Sequence, residues 1–487
     1  MKILRLAPAL AVLAALSACT GDRPAPMTPD PSLAVVQSSR AGPNRFLVEY
    51  SGNVGKLSAA VKAAGGHVGR VHESIGVLEV HGMAAADILA LPGVQHATRD
   101  TVLHLIRDAT PLPVGGLPIA VSGYRLDAPL TASSDPTQAY FYSCQWDLKQ
   151  IHAEEAWAFG AHGAGMKIAL LDTGVDPDQV DLVGKVDLVE SASTLTFEDA
   201  NCPADEGADI IDYNSHGTGN AAEIASNNIG VASVAPDAQT VMVKVLSCTG
   251  DGSLADVLAG LLYAADLDDV NIISMSLMGP VKRGLPGTNR FLAMFQKAVN
   301  YATQRGKLLV GTAGNDGVNL TKQRDWAFIP TSLANVKSAY ATDHVDRLAS
   351  YSNHGVSDTW VGGPGGQEWA DYDGEPLPSC PIAPALQNRF IRACSGHTVL
   401  ANGFNYPWDV CGNGGTSMYI VAGWGTSYAT PEVAGVAALV QALHGGSLNP
   451  HQLANILAQT ADDLGAPGVD EQYGHGRVNA ARAVGGR

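Results

Sequence analysis

The stretch GGTSMYIVAGWGTSYATPEVAG, residues 414–435, carries Gly-Thr-Ser twice, ending at Ser417 and at Ser427. A serine hydroxyl is a weak nucleophile until a neighbouring base removes its proton, so the question is which serine a base can reach. Upstream stand an aspartate in LLDTGVD, Asp172, a histidine directly before Gly-Thr in SHGTGNAAEIA, His216, and an asparagine in TAGN, Asn315. Taken singly, Asp or Asn after an apolar run is a turn residue, and a histidine at a helix start is a surface or capping residue. Each of these signals is weak on its own, so the elements that carry the residues decide what they can do.

Asp172 and Asn315 each close an apolar, β-favouring run, KIALLDTG and KLLVGTAGN, and TVMVKVL and NIISMSL are further runs of that kind. They alternate with helical stretches such as LADVLAGLLYAADLDD and NRFLAMFQKAVNYATQRG. This alternation predicts an α/β fold of three layers, a mostly parallel sheet covered by helices on both faces. Functional groups then gather at the carboxyl ends of the strands. The same logic separates the two serines. After Ser417 the chain reads MYIVAGW, with no helix start, whereas after Ser427 it reads YATPEVAGVAALVQALHGG, with Pro431 suited to a first helical turn and Gly445 to a stop. Ser427 is placed at a helix N-terminus, where backbone N–H groups and the helix dipole favour developing negative charge. It is the candidate nucleophile, and Ser417 falls in or near the strand leading to it.

The chain ahead of this region divides into segments. Residues 1–19, MKILRLAPALAVLAALSAC, join Lys2 and Arg5 to an apolar stretch and small residues, the pattern of an export signal. Its end, Leu16-Ser17-Ala18-Cys19, resembles the bacterial lipoprotein box, which makes Cys19 a lipidation site and that lipid the expected contact with a membrane. Residues 20–42 are a Pro-rich tether. Residues 43–106 read as a small α+β unit of βαββαβ, ferredoxin-like order, with RFLVEY, IGVLEVHG and TVLHLI as strands. Residues 107–143 read as an exposed connector open to proteolysis, and 144–487 as the main domain.

Across 487 residues, 30 basic against 47 acidic side chains give a net charge of −17, which repels a polyanion and excludes nucleic acid as a partner. Cys144, Cys202, Cys248, Cys380, Cys394 and Cys411 suit up to three disulfides in an oxidising compartment, with the pairing open. Their lack of CxxC spacing disfavours a cysteine metal site.

LLDTGVD, HGT, NIISMSLMGP, TAGN and GTSYATPEVAG occur in the order found in the subtilisin-like serine proteases, and the resemblance runs from about residue 145 to YGHGRVNAARAV near the C-terminus. It implies a secreted serine endopeptidase acting on protein or peptide substrates. Ser427 attacks the scissile carbonyl, His216 carries the proton, Asp172 orients the imidazole, and Asn315 with the Ser427 N–H holds the oxyanion. Ser276, Leu277, Met278, Gly279, Thr312, Ala313 and Gly314 line the substrate cleft. Residues 43–106 resemble the inhibitory propeptide, an intramolecular partner removed by self-cleavage in the connector. Because the lipid lies on the far side of that cut, the mature domain leaves the cell envelope. The resemblance requires no cofactor for the chemistry, leaves a structural calcium open with Asp181 as the carboxylate beside SNNIGV, and gives no partner subunit, so a monomer is expected.

Two departures stand out. Gly219 and Asn220 follow where the family reads HGTHVAG, and Met278 stands where it commonly has glycine, which narrows or caps the pocket. Residues 367–413, with three cysteines, read as a surface insertion stapled by a disulfide, or as a lid that restricts substrates. The competing functions are an inactive binding lipoprotein on the same scaffold and an esterase using the same acyl-enzyme chemistry.

Overall fold

The computed structural model describes residues 45–104, 131–196, 198–204, 206–355, 360–367, 380, 390–393, 395, 397 and 420–485. The signal peptide with Cys19, the tether, residues 105–130, Ser417, Cys394, Cys411 and most of the insertion lie outside them.

The N-terminal unit runs Arg45–Tyr50 (β1), Val54–Ala63 (α1), His67–His72 (β2), Val77–His81 (β3), Ala85–Leu89 (α2) and Val94–Arg99 (β4). Its strands form one antiparallel sheet in the order β2-β3-β1-β4. Alternation along each strand gives the sheet two working faces. Phe46, Val48, Leu78 and Val80 pack under Leu57, Val61 and Ile88 of the two helices, while Leu47 and Val77 point the other way, into the core of the main body. Three strands differ from expectation. β4, VQHATR, is not among the expected strands, yet it pairs with β1 and completes the sheet. β2 carries Gly69 and Arg70 and alternates exposed with half-buried residues, so its sequence lacks an apolar run. TVLHLI does not close the unit's own sheet. Val102–His104 (β5) instead pairs antiparallel with Asp251–Ser253 (β9) of the main body, Leu103 opposite Gly252. A strand pattern states that a partner is needed and not which one.

The main body opens with two short helices, Trp146–Gln150 (α3) and Ala153–Ala158 (α4). Its sheet is built from Lys167–Asp172 (β6), Ala192–Ser193 (β7), Gln239–Lys244 (β8), Val270–Met275 (β10), Leu308–Thr312 (β12), Val336–Thr342 (β14) and Val361–Pro364 (β15). These seven strands are parallel throughout, in the order β15-β14-β12-β10-β6-β8-β7. Gly279–Lys282 (β11) and Trp326–Ile329 (β13) form a separate antiparallel ribbon, and Phe390–Ala393 (β16) pairs with Ile420–Gly423 (β17). Strand alternation sends Ile168 and Leu170 to one face and Ala169 and Leu171 to the other. The first face is covered by His216–Ile224 (α5), Thr426–Leu443 (α8) and Pro450–Thr460 (α9), the second by Leu254–Asp266 (α6) and Thr288–Gln304 (α7). A short helix, Ala480–Ala483 (α10), closes the chain against α4.

The connector ends earlier than its composition indicates. Tyr140 and Phe141 donate backbone hydrogen bonds to Ile229 and Gly230, and Phe141, Tyr142 and Cys144 are buried. Aromatic burial outweighs the loop-like composition around them. Cys144 is joined to Cys380, so the insertion is stapled to the start of the main body, and Cys202 is joined to Cys248. Among the described residues, no helix is long and apolar enough to cross a membrane.

The seam between the two units carries buried and half-buried ion pairs. Asp256 on α6 receives Arg45 at 2.8 Å and Arg70 at 2.6 Å, and Lys297 on α7 reaches Glu49 at 2.6 Å. Arg45 also pairs with Asp100 at 2.9 Å, and Arg70 with Glu79 at 2.6 Å. Burial alone would raise the Glu79 carboxyl, but His72 and His81, followed by Arg70 and Arg45, hold it well below the usual range.

Candidate active site

Asp172 closes β6 and His216 opens α5, and both side chains are buried. His216 donates from Nδ1 to Asp172 Oδ1 at 2.6 Å. The approach depends on Gly217, where a Cβ would collide with the Gly174 carbonyl and touch Asp172. Asp172 Oδ1 also accepts from the Thr173 N–H at 2.8 Å, and Oδ2 accepts from Asn220 Nδ2 at 2.8 Å. The residue that departs from the family pattern therefore holds the second oxygen of this acid.

Sequence reasoning missed Asp212. Its buried carboxylate accepts from the backbone N–H groups of Asn214, Ser215 and Thr218 and from the hydroxyls of Thr173 and Thr218. Four donors at the start of α5, with the Thr173 hydroxyl beside Asp172 as a fifth, make Asp212 the cap that seats His216. The available signal was an Asp placed in DYNSH, just ahead of a helix start.

Ser427 lies in the first turn of α8, preceded by Gly425 at φ +156°. The helix begins at Thr426, so Pro431 sits inside it and not in its first turn, while the left-handed Gly445 and Gly446 follow its end as expected. Ser427 is buried, its Oγ stands 3.4 Å from the Ser276 carbonyl, and Ser276 Oγ donates to the Ser427 carbonyl at 2.9 Å. α5 and α8 pack against each other, which brings the histidine-bearing and serine-bearing helix starts to the same side of the sheet. Asn315 follows β12, and its Oδ1 accepts from the Thr426 N–H at 2.9 Å and the Thr426 hydroxyl at 2.6 Å. Those two bonds fix the amide with Nδ2 as its donor end.

The insertion reaches this centre. Arg392 on β16 lies against Gly219 of α5 and stacks its guanidinium 4.2 Å from the ring centre of Tyr428, next to the candidate nucleophile. Ser395 donates its N–H to Ser215 Oγ at 3.0 Å and its hydroxyl to the Asp212 carbonyl at 2.7 Å. The described part of the insertion thus braces the starts of both α5 and α8.

Beneath the centre, Asp147 of α3 and Glu432 of α8 are buried together, with Glu223 of α5 close by. Burial away from water pushes both Asp147 and Glu432 above the ordinary carboxyl range, and a protonated Glu432 donates to Asp147.

Asp181 does not fit a cation site. Its oxygens accept from the N–H groups of Ile229, Gly230 and Val231 and from the Ser226 hydroxyl, so the turn SNNIGV folds around the carboxylate and offers it hydrogens, not lone pairs. Cys202, Glu206 and Cys248 lie close enough to hold a metal, but the two cysteines are one disulfide.

A seven-stranded parallel sheet with these groups at its carboxyl edge is the fold of a subtilisin-like serine protease. The family described as the subtilase family matches residues 163–476. Thermitase from Thermoactinomyces vulgaris is 32% identical over 352 residues, covering 72% of this chain and 99% of that protein. A thermophilic serine proteinase from Bacillus sp. strain AK1 is 31% identical over 356 residues, covering 72% of this chain and 70% of that protein. The crystal structure of the epidermin leader peptide processing serine protease from Staphylococcus aureus superposes with a TM-score of 0.69 at 20% identity, covering 91% of this chain and 97% of that one, and speaks for the fold. The chain belongs to the subtilase family and is a serine-type endopeptidase.

Proposed function

We propose that the protein is an exported, self-processing precursor whose Asp172, His216 and Ser427 hydrolyse peptide bonds through an acyl-enzyme. Ser427 Oγ attacks the scissile carbonyl as His216 Nε2 takes its proton, and the C–N bond breaks as the same proton passes to the leaving amine. Water repeats the sequence to release the acid. Asp172 holds the Nδ1–H tautomer and stabilises the imidazolium, and Asn315 Nδ2 with the Ser427 N–H receives the oxyanion. The observation that carries this reading is the 2.6 Å contact between His216 and Asp172 at the strand edge that also presents Ser427 and Asn315.

The N-terminal unit is the inhibitor in this reading. Support comes from β5, which lays an extended segment against β9 as an added strand, the way a peptide is held by main-chain hydrogen bonds. Cleavage follows in the connector, severing the body from the lipid at Cys19 and releasing it. A structural calcium, where one binds, uses residues other than Asp181.

Replacing Ser427 with alanine should abolish both self-processing and peptide hydrolysis, with kcat down on the order of a million-fold, the size known for a subtilisin. Ser417→Ala should process and cleave normally. Full activity in Ser427→Ala would overturn the assignment.

A further inference from the structure

β10 and β12 run side by side only as far as Met275 and Gly311. Beyond that point residues 276–279 turn away to pair with β13, while Thr312 stays with β14, so the two segments part. The gap opens beside the reacting groups, because Ser276 is bonded to Ser427 on one side and Asn315 ends the other segment. A crevice where neighbouring parallel strands separate at their carboxyl ends is where such a fold takes its ligand. The substrate side chain just before the cleaved bond must enter here.

In this chain the gap is filled from within. Met278 is only 3% exposed, and its methyl group takes the space where a side chain at Gly314, on the opposite segment, would begin. Behind it Met278 packs with Val318, Leu320 and Phe328, with Trp326 at the rim. Phe328 is 1% exposed and sits on β13 across from Pro280, so a second chain segment backs the methionine. Methionine is adaptable, but moving out of the recess would take Met278 from its contacts with these apolar side chains.

We propose that Met278, backed by Phe328, plugs the recess for the residue preceding the cleaved bond and confines that residue to Gly, Ala or Ser. The proposal rests on the placing of Ser427 and Asn315 given above. A bulkier side chain would have to expel Met278 from its apolar cluster before reaching the nucleophile. Pocket mismatches of one methylene are worth about 10- to 200-fold in discrimination, and a leucine or phenylalanine exceeds that mismatch.

The test is a peptide series differing only at the residue before the cleaved bond, digested by the full-length chain after self-processing, with active sites counted by fluorophosphonate labelling. We expect kcat/KM for Ala to exceed that for Leu or Phe by about 100-fold or more. Met278→Gly should raise Leu and Phe relative to Ala by at least tenfold, and Phe328→Ala should widen tolerance toward Leu by a smaller factor. A wild-type preference for Leu or Phe, or a Met278→Gly profile that superimposes on wild type, would overturn the plug while labelling still upholds the catalytic reading. Absence of both labelling and cleavage in the wild type would instead bring down the catalytic reading, and the plug with it.

Discussion

The candidate active site and the seam under the N-terminal unit are both polar and both largely buried, yet they are held in opposite ways. In the centre every bond lies within one body. Asp172 is gripped by His216, Thr173 and Asn220, and Asp212 seats the helix that carries the histidine. At the seam, Asp256 and Lys297 of the body face Arg45, Arg70 and Glu49 of another unit. Hydrogen bonds within one body keep a geometry through every turnover, while buried ion pairs between two units depend on both partners and are lost at high cost when one is removed. The first arrangement suits the chemistry proposed for it; the second suits the proposed role of the N-terminal unit as a contact that lets go after cleavage.

Four changes sharpen that contrast. Asn315→Ala removes the proposed oxyanion donor while leaving the bodies docked, and kcat should fall about 100- to 1,000-fold, the range known for a subtilisin, with KM little changed in steady-state assays. Asp256→Asn should do the reverse. Losing a carboxylate that binds two arginines should weaken retention of the cleaved N-terminal unit by about 2–3 kcal/mol, read as earlier dissociation in size-exclusion runs of increasing salt, with unchanged turnover of small substrates by the freed body.

Asn220→Ala strips one donor from Asp172 and should lower kcat roughly tenfold without moving KM, since one hydrogen bond to a charged group is worth about 1.5–3 kcal/mol and water can replace part of it. An unchanged kcat would remove Asn220 from the machinery. The smallest effect concerns stability. Asp147 and Glu432 both have folded pKa values raised by burial, so the native state keeps protons that the unfolded chain has lost. Their contribution is fully present below the ordinary carboxyl pKa and is lost as pH rises through the folded values. The Tm of the Ser427→Ala protein, which cannot digest itself, should fall by a few degrees between pH 5 and pH 8. Glu432→Gln should flatten that slope, and a Tm that rises with pH would contradict the shared-proton pair.

The parallel sheet, both flanking layers and the helix that starts beside Ser427 were legible because each rests on local pattern. KIALLD and KLLVGT carry strand signals, and the run after Ser427 carries a helix with its stop. What stayed hidden depends on approach between distant segments. Asp212 looks like any loop aspartate until its donors at α5 are seen, and Asn220 shows only as a departure from a motif. β5 announces a strand without naming β9. Met278 could be suspected of narrowing a cleft, but Phe328 behind it belongs to a ribbon that no local pattern joins to it.

The central claim is that the hydroxyl of residue 427, and not its neighbour in the repeated tripeptide, is the group that acylates. Mass spectrometric mapping of the wild-type protein after reaction with a fluorophosphonate tests it directly. The account predicts one adduct, on the peptide containing Ser427, and loss of that adduct in His216→Ala. An adduct on Ser417, or stoichiometric labelling that survives His216→Ala at the wild-type rate, would contradict it.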